Sequence, residues 1–306
     1  MNKPTKLPTP HLSKLKACLE NQSLPPGDLE RLKTARTKYD EWIKALASIK
    51  RGSQGCVDKL VQATNVYKRY IELDLIFDSP GNFLYRQKGQ LKLDNTILEE
   101  FLPHLVYRSL KGLEEGYELG PASTFAGITM LSTLGKHGNG GLPKILAKDQ
   151  DFVLGRRLYL RTSFDAEFES FDSQQAALGY VCAECKTNLD KTMFQEAVAT
   201  SRDLKQAVPG SLYFLIAEFL DMTPRSVTAT QIDDVLIVRK AKRISSNIRQ
   251  DFKTPEARKL HRKEHEEFID ASKYSAAVFQ RMIDKIQLLI ATADPSEKVV
   301  LERGFF

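Results

Sequence analysis

The sequence predicts a mixed α/β protein in which a central sheet is flanked by helical N- and C-terminal parts. Three observations lead to this fold class. Apolar residues recur at helical spacing through much of the N-terminal part of the chain. Short runs rich in β-branched and aromatic residues follow between residues 152 and 240. From Ser246 onward the pattern is again helical, and the segment is strongly charged.

Composition limits the class of protein. The chain has 306 residues, 42% of them hydrophobic, with 45 Lys and Arg against 39 Asp and Glu, which gives a net charge of +6. This mixture is typical of a globular protein and excludes a fibrous or wholly disordered chain. We predict a mainly helical region over residues 1–125, a core that contains the strands over 126–245, and a basic helical region over 246–306.

Location follows from what the sequence lacks. No stretch approaches the ~18 apolar residues of a membrane helix, so we expect no membrane association. The N-terminus MNKPTKLPTP has no apolar run behind its lysines, unlike a secretory signal. Four cysteines are too few for a disulfide scaffold in a chain of this length. A cytoplasmic protein is therefore expected.

The N-terminal elements are predicted from periodicity and breakers. Residues 28–50 form one amphipathic helix, and a second runs over 57–77 until Ser-Pro-Gly stops it. The stretch FLYRQKGQLKL over 83–93 is interpreted as a short hairpin that turns at Gly89. A further helix is predicted over 96–106.

The central elements alternate between strand and helix. The runs DFVLGRRLYLRTSF and LGYVCAECK predict two strands, and the apolar positions of 191–208 predict a helix after them. SLYFLIAEFL and DDVLIVRK then predict two more strands. The order strand, strand, helix, strand, strand indicates a mixed sheet with one crossover.

The stretch Gly179–Lys186 carries the strongest chemical signal. Glu184 and Lys186 lie two apart in a strand, so they emerge on one face, about 6.5–7 Å apart along it. A carboxylate and an ammonium at the end of an apolar strand are costly to bury unless they are paired or bind a metal. Phosphodiester hydrolysis uses such a pair, since the carboxylate holds Mg²⁺ and the ammonium positions water or stabilises charge on phosphorus. The alternative is a structural salt bridge.

Magnesium usually needs a further oxygen ligand from the protein. In an antiparallel hairpin, the start of the first strand lies beside the end of the second. Asp151 opens its strand and Glu184 closes the next one, so Asp151 is the preferred second carboxylate. Asp165 ends a strand and would lie at the far end of the hairpin; it is the second candidate, and Asp149 is the third.

Two cysteines near these residues invite a different interpretation. Cys182 and Cys185 form a C-x-x-C pattern, which occurs in zinc and redox sites. Residues three apart in a strand point to opposite faces, and no second pair with ligand spacing completes a zinc site. We therefore expect both to be buried structural cysteines.

These segments resemble the PD-(D/E)XK nucleases, in particular the type II restriction endonucleases of the group that includes the BbvCI subunits and enzymes cutting CCTNAGC-type sites. The strings that carry the resemblance are DQDFVLGRRLYLRTSFD, CAECKTNLDKTMFQEA and DMTPRSVTATQIDDVLIVRKAKR. The resemblance implies a core of a helix, three antiparallel strands, a crossover helix and a further strand. It makes Asp151 and Glu184 metal ligands, Lys186 the catalytic lysine and Gln195 a helper; Gln150 stands where the family usually has Pro.

A basic stretch follows the last predicted strand. Residues 239–263 contain ten Lys and Arg against two Asp and Glu, a net charge of 10 − 2 = +8. The alternatives are a solvated charged face and a surface that grips phosphates. The candidate DNA contacts are Arg239, Lys240, Lys242, Arg243 and Arg249.

The sequence thus predicts a type II restriction endonuclease, or one subunit of it, that hydrolyses double-stranded DNA with Mg²⁺. Cutting both strands needs two active sites, so a homodimer or a heterodimer with a related subunit is expected. The main alternative is a DNA-binding protein with an inactive nuclease-like core, and another is a helical interaction protein.

Overall fold

The structure is a computed structural model that describes residues 7–111, 113, 116–130, 143–292 and 296–304. The stretch GKHGNGGLP over 135–143, whose glycines predict a loop, lies outside these residues apart from Pro143. The helices before the sheet are α1 (Pro10–Leu19), α2 (Pro26–Ser48), α3 (Cys56–Arg69, continued by a π-helical segment Tyr70–Phe77), α4 (Phe83–Gln90) and α5 (Thr96–Ser109).

A five-stranded mixed sheet follows. Its strands lie side by side in chain order, with β1, β2 and β3 antiparallel and β3, β4 and β5 parallel. Helix α6 crosses over between β3 and β4, as a parallel connection requires. The predicted α/β class is confirmed. The elements are β1 (Glu118–Thr129), β2 (Lys144–Thr162), β3 (Asp172–Leu189), α6 (Lys191–Ala207), β4 (Leu212–Leu220) and β5 (Asp234–Lys242).

The C-terminal part is helical, as its periodicity predicts. It contacts both the sheet and the N-terminal helices, because α10 packs on α3 and on β5. In the described part of the chain, no helix is both long and apolar enough to cross a membrane. The helices are α7 (Ser246–Asp251), α8 (Pro255–Leu260), α9 (Arg262–Ala271), α10 (Ala276–Thr292) and α11 (Glu297–Arg303).

Strand β2 is strongly curved. Leu160, near its end, pairs with Gln174 of β3. Ile145, near its start, donates its backbone N–H to the side chain of the same Gln174 at 2.8 Å. Because two residues 15 positions apart in one strand meet the same partner, β2 must curve back on itself along its length.

The predicted hairpin over residues 83–93 is wrong, since helix α4 covers most of it. The stretch contains no β-branched residue and is rich in Leu, Gln, Lys and Arg, which have good helix propensity. Leu84 is fully buried, and the backbone N–H groups of Leu91 and Leu93 both bond to the carbonyl of Gln87. Gly89 therefore lies in the last turn of a helix rather than in a hairpin turn.

The residue pattern does not predict strand β1, although the resemblance implies three antiparallel strands before the crossover helix. The proposed boundary between residues 125 and 126 falls inside it. Its sequence, ELGPASTFAGIT, contains two glycines and a proline, which are depleted in strands. β1 is an edge of the sheet along much of its length, and its register with β2 shifts after Gly120 and after Phe125. A strand of this composition depends on its partner for its conformation.

The sheet separates two apolar cores. The larger lies between the sheet and the N-terminal helices together with α10, and the smaller lies between the sheet and α6. Cys185 belongs to the larger core and Cys182 to the smaller one. Both are buried and free, which confirms the alternation argument and the structural role predicted for them.

Candidate active site

Glu184 and Lys186 lie near the carboxyl end of β3, on its α6 side. The ammonium Nζ of Lys186 is 2.6 Å from Oε1 of Glu184, and the two side chains are 25% and 18% exposed. The pair that the sequence predicts therefore exists, and solvent reaches it. An ion pair of this kind fits both a structural and a catalytic role, so its neighbours decide what it can do.

Asp151 lies beside this pair. The next residue, Phe152, is paired with Ala183, so antiparallel register sets Asp151 next to Glu184. The carboxylate oxygen Oδ2 of Asp151 accepts the backbone N–H of Cys185 at 2.7 Å. Burial raises the pKa of Asp151, although the bond from Cys185 and the charges of Lys92 and Lys186 oppose this shift. The structure thus brings the two preferred carboxylates together.

A third carboxylate, from the N-terminal helices, interacts electrostatically with Asp151. Glu99, in the first turn of α5, is only 8% exposed. Burial, assisted by the negative charge of Asp151, raises its pKa to about 7. Burial likewise raises the pKa of the Cys185 thiol, and the charges of Asp151, Glu99 and Glu184 add to this shift. The charges of Glu99, Asp151 and Glu184 thus all act on Cys185, and these three carboxylates are called the acidic cluster below.

Sequence reasoning missed Glu99. It belongs to a helix that precedes the sheet, and its distance from Glu184 along the chain is 85 residues. The only local signal is that Glu99 and Glu100 interrupt the apolar stretch TILEEFLPHLV, where charge is unexpected in a helix with both faces covered. Its orientation toward β2 comes from tertiary packing.

Tyr213, at the start of β4, orients Glu184 through a hydrogen bond. Its hydroxyl donates to Oε2 of Glu184 at 3.0 Å, so each oxygen of this carboxylate has a partner. Tyr213 is 1% exposed, and burial raises its pKa, so it remains a hydrogen-bond donor. Its own backbone N–H is fixed by Asp233, which also pairs with Lys205.

Lys186 keeps its charge in this environment. Burial alone would lower the pKa of Lys186. The hydrogen bond and charge of Glu184, together with the negative charges of Asp151 and Glu196, outweigh burial and raise it. An ammonium has three donors, and one of them is used by Glu184. The remaining donors can therefore serve a phosphate oxygen or a water molecule.

The other predicted candidates lie elsewhere. Asp165 is in the turn between β2 and β3, where its carboxylate accepts the backbone N–H groups of Glu167 and Glu169. These bonds lower the pKa of Asp165, and the bond from Glu167 has the largest effect. Asp149 is exposed and pairs with β1. Gln195 is exposed on α6, next to Glu196, the α6 residue whose charge acts on Lys186.

The donor set suits a hard divalent cation. Among the described residues, no three His, Cys, Asp or Glu side chains are arranged to enclose a metal ion. Mg²⁺ does not require such a cage, because it usually binds one or two carboxylates and keeps waters and substrate oxygens as its other ligands. Asp151 and Glu184 provide two carboxylates at one solvent-accessible point, and a cation there would offset the burial that raises the pKa of Asp151.

Arg239 is not available to DNA, and the prediction for this residue is wrong. It is 4% exposed and binds Glu72 with Nη2 and Glu218 with Nε, all at 2.8 Å. Lys68 binds the same Glu218 at 2.7 Å, and the Tyr274 hydroxyl donates to it. Regular alternation after Val238, which belongs to the larger core, would turn Arg239 to the α6 side. The bulge of β5 against β4 instead leaves Arg239 on the larger-core side, where it is neutralised by the two carboxylates.

The remaining basic candidates are at the surface. Lys240 and Lys242 are exposed, at the end of the edge strand β5. Lys240 has a left-handed backbone (φ +50°) where β5 bulges against β4. Arg243 is partly exposed and pairs with Asp221 at 2.9 Å. Arg249 donates through Nε to the carbonyl of Ile244.

Comparison with known proteins adds to this geometry. The family model described as Bpu10I restriction endonuclease matches residues 90–306, well over half of the chain. Among solved structures, the chain is similar to the native BbvCI A2B2 tetramer at low resolution, with a TM-score of 0.57 and 17% sequence identity. That match covers 85% of this chain and 96% of the other. No curated protein matches.

The two findings agree with each other and with the resemblance noted in the sequence, which they confirm at the level of the BbvCI- and Bpu10I-like enzymes. The structural match shows that the mixed sheet has the fold of a restriction enzyme. The family match includes the acidic cluster with Lys186 and the C-terminal helices. The chain therefore belongs to the Bpu10I restriction endonuclease family and, with it, to the type II site-specific deoxyribonucleases.

Proposed function

We propose that this restriction enzyme hydrolyses DNA phosphodiesters with Mg²⁺ at a PD-(D/E)XK-type site formed by Asp151, Glu184 and Lys186. The observation that carries the proposal is the meeting of two carboxylates and a charged lysine at one accessible point of the sheet. Burial makes this arrangement unfavourable for stability alone, because Asp151 has a raised pKa there.

Each side chain has a distinct task. Asp151 and Glu184 hold the cation, which when bound supplies a Lewis acid for the phosphate and lowers the pKa of a bound water. Tyr213 keeps Glu184 in position through its hydroxyl. Lys186 remains protonated, so it places positive charge where negative charge develops on the phosphate oxygens, and it can orient the attacking water.

Lys240 and Lys242 are proposed to contact DNA phosphates beside this site. β3, β4 and β5 are parallel, so their carboxyl ends lie at one edge of the sheet. Leu189, Leu220 and Lys242 are successive register partners across that edge. The exposed lysines of β5 therefore share an edge with the end of the strand that carries Glu184 and Lys186, which suits a duplex crossing the site.

The enzyme is proposed to act as a dimer or larger assembly, since two strands require two active sites. The similar structure is an A2B2 tetramer of BbvCI. By extension, this chain serves either as a homodimer or as one subunit beside a related chain. A homodimer cuts both strands by itself, whereas one subunit of a heteromer cuts one strand.

Digestion of a supercoiled plasmid of known sequence tests the proposal. With purified protein and Mg²⁺, linear products with discrete mapped ends are expected from a homodimer, and site-specific nicked circles from a single catalytic subunit. EDTA should abolish both. Salt-sensitive DNA binding without any cleavage, for the chain alone and with its partner subunit, would instead indicate an inactive nuclease-like core.

A further inference from the structure

The β2–β3 hairpin ends in a two-stranded ribbon, formed by residues 157–162 of β2 and 172–177 of β3. Its first pair is Arg157 opposite Ala177. Strand β1 reaches β3 at this pair, through Thr124, and among the described residues it pairs with neither strand further out. The ribbon is therefore held as a sheet by the pairing of β2 with β3.

One face of the ribbon is supported from behind. Side chains alternate along a strand and directly opposite residues share a face, so every second pair belongs to the same face. Leu158, Leu160 and Gln174 belong to one face and are half-buried. The amide of Gln174 donates to the carbonyl of Pro143 at 2.6 Å, and its oxygen accepts the backbone N–H of Ile145 at 2.8 Å. The start of β2 thus fixes the ribbon on this face.

The opposite face is open to solvent and carries side chains that suit the edge of a DNA base. Tyr159 is 73% exposed and lies opposite Gln175, which is also exposed. The next pair on this face is Arg161 opposite Ser173, and both are exposed. In the major groove, arginine binds O6 and N7 of guanine and glutamine binds N6 and N7 of adenine. This face therefore presents two base-reading residue types on neighbouring pairs.

Arg161 is held in a defined orientation. Its guanidinium lies over the ring of Phe171, with the central carbon 4.7 Å from the ring centroid. Such stacking uses the flat face of the guanidinium and leaves the N–H groups on its edge for another partner. Arg157, on the same face, instead donates through Nε to Glu118 at 2.7 Å. Arg161 is therefore the stronger candidate of the two for binding an external ligand.

The charge of the ribbon suits DNA better than a second protein chain. Residues 152–164 contain three arginines and no acidic residue, and residues 173–183 contain no charged residue. The positive charge complements the phosphates that border a groove. Charged groups are depleted from the centres of protein–protein interfaces, so a second copy of this chain is the less suitable occupant.

The turn at the end of the ribbon is acidic. Asp165 is occupied by backbone N–H groups, and Asp172 accepts a hydrogen bond from the amide of Gln174 at 2.9 Å. Glu167 and Glu169 are exposed. Carboxylates repel phosphates but accept hydrogen bonds from the amino group of cytosine. The turn therefore disfavours contact along the DNA backbone and favours a position within the groove.

The ribbon and the active site are close enough to contact one duplex. Asp151 and Tyr159 are eight residues apart in β2, so at most about 27 Å separates their Cα atoms. One turn of B-DNA is about 34 Å long. A duplex bound at the acidic cluster can therefore meet the ribbon within one turn of the cleaved bond.

We propose that the ribbon enters the major groove of DNA and reads base edges there through Arg161 and Gln175. The groove is about 12 Å wide and admits a two-stranded ribbon. These two residues would then determine which sequence the enzyme cuts, whereas Lys240 and Lys242 contact phosphates. The inference rests on the endonuclease family and on the ribbon, and not on the metal ligands proposed above.

Selection of bound duplexes from a random-sequence library in Ca²⁺ tests the proposal without cleavage. The full wild-type chain is expected to enrich one sequence. Arg161→Lys keeps the charge but loses the fork of donors, so it should lower the preference at one base pair about ten- to a hundredfold and leave the affinity for an unrelated duplex unchanged. Gln175→Ala should relax another base pair by a similar factor.

Two exposed residues of α6 provide matched controls. Arg202→Lys and Gln206→Ala make the same chemical changes away from the ribbon and should keep the wild-type preference. Lys186→Ala, which tests the active site, should also select the wild-type sequence. Failure of the ribbon and failure of the proposed active site are therefore separate results. Melting temperatures of all variants verify that they fold.

Four results would overturn the proposal. An equal loss on selected and unrelated duplexes would indicate phosphate contacts, which carry no sequence information. An unchanged preference in both ribbon variants would remove the ribbon from base recognition. A smaller assembly of either variant in sedimentation would indicate a subunit interface. A wild type that selects no sequence, alone and with its related subunit, would exclude base reading by this chain.

Discussion

At the scale of single residues, the environment of Lys186 allows its proposed catalytic role to be distinguished from a stabilising role. Its ammonium pairs with Glu184, and both remain accessible to solvent. A pair of this kind contributes little to stability, about 0–1 kcal/mol. A group that stabilises a transition state contributes far more to the rate, which makes the two roles distinguishable by mutation.

We expect Lys186→Ala and Glu184→Ala each to lower the cleavage rate on the order of a hundred- to a thousand-fold or more, because each removes charge from the reacting centre. Folding and DNA binding should change little. Single-turnover plasmid cleavage and duplex binding in Ca²⁺ measure the two effects. Lys191→Ala, at an exposed residue that begins α6, is the control and should cleave normally. Near-normal cleavage by Lys186→Ala or Glu184→Ala would show that the substituted residue is not part of the active site.

The two candidate aspartates differ in position. Asp151→Asn keeps an acceptor for the N–H of Cys185 but loses the negative charge, so Mg²⁺-dependent cleavage should disappear. Asp165→Asn should leave measurable cleavage, since Asp165 lies in the turn at the far end of the hairpin. Initial rates at several Mg²⁺ concentrations make the comparison. An indispensable Asp165 beside a dispensable Asp151 would contradict the proposed ligand set.

Glu99 gives a prediction for pH. Its pKa is about 7 in the folded chain against 4.5 in the unfolded chain, because burial disfavours the charged form. Between these values the unfolded chain releases the proton while the folded chain keeps it, so stability falls as pH rises through this window. The shift corresponds to about 3 kcal/mol.

The variant Glu99→Gln should therefore raise the free energy of unfolding above pH 7 and leave it unchanged below pH 4.5. Urea unfolding of the metal-free protein at both ends of the window measures the difference. Glu167→Gln, in the exposed hairpin turn, should show no such pH dependence. A variant at Glu99 that is equally destabilised at every pH would show that the carboxylate is a structural acceptor instead.

At the scale of elements, the sequence predicts most helices but not β1 or α4. The helix patterns succeed where one face packs on a core, as in α2, α3 and α6. They fail for FLYRQKGQLKL, because its eleven residues fit a hairpin or a helix. They also fail for β1, because its glycines and proline are atypical of a strand and its register depends on β2. Length and tertiary pairing decide both cases.

The candidate site divides in the same way. Glu184 and Lys186 are predictable because strand alternation alone sets them on one face, and Asp151 follows from hairpin polarity. Glu99 and Tyr213 come from α5 and from the register of β4 against β3, which no local pattern contains. Arg239 shows the limit of a charge count, because the count does not distinguish the exposed side of β5 from the buried one.

The end of β5 carries a prediction about salt. Replacing Lys240 and Lys242 together by Ala should weaken binding to cognate and unrelated duplexes alike, because phosphate contacts act through counterion release. The slope of log K against log salt should flatten by about 1.8, or about 0.9 for each lost contact. Fluorescence anisotropy in Ca²⁺ measures the slope. The same substitutions at the exposed Lys33 and Lys44 of α2 form the control.

An unchanged salt slope in the β5 variant would indicate that these lysines belong to a solvated face. A loss restricted to the cognate duplex would indicate base recognition rather than phosphate contact.

At the scale of the whole molecule, one buried charge cluster joins all three parts of the chain. Lys68 and Glu72 come from the N-terminal helices, Glu218 and Arg239 from the sheet, and Tyr274 from the C-terminal part. Removing one partner of such a cluster leaves an uncompensated charge in the core, which typically costs about 3–5 kcal/mol.

We therefore expect Arg239→Ala to lower the free energy of unfolding by roughly this amount. Arg243→Ala should lower it by less than about 1 kcal/mol, because its ion pair with Asp221 is at the surface. Chemical denaturation of both variants provides the comparison. Equal and small losses would mean that the cluster is hydrated or can rearrange without Arg239.

The same cluster constrains how the chain reaches its native state. Glu72 and Arg239 are 167 residues apart in sequence, and Lys68 and Glu218 are 150 apart. Contacts of such separation close long loops, which slows folding and delays it until most of the chain has been synthesised. Lys68 and Glu72 also precede residue 90, where the family match starts. A fragment of residues 90–306 would leave Arg239 and Glu218 without two of their partners, Lys68 and Glu72. We therefore expect the nuclease core to fold to its native state only when the helices that precede it are present.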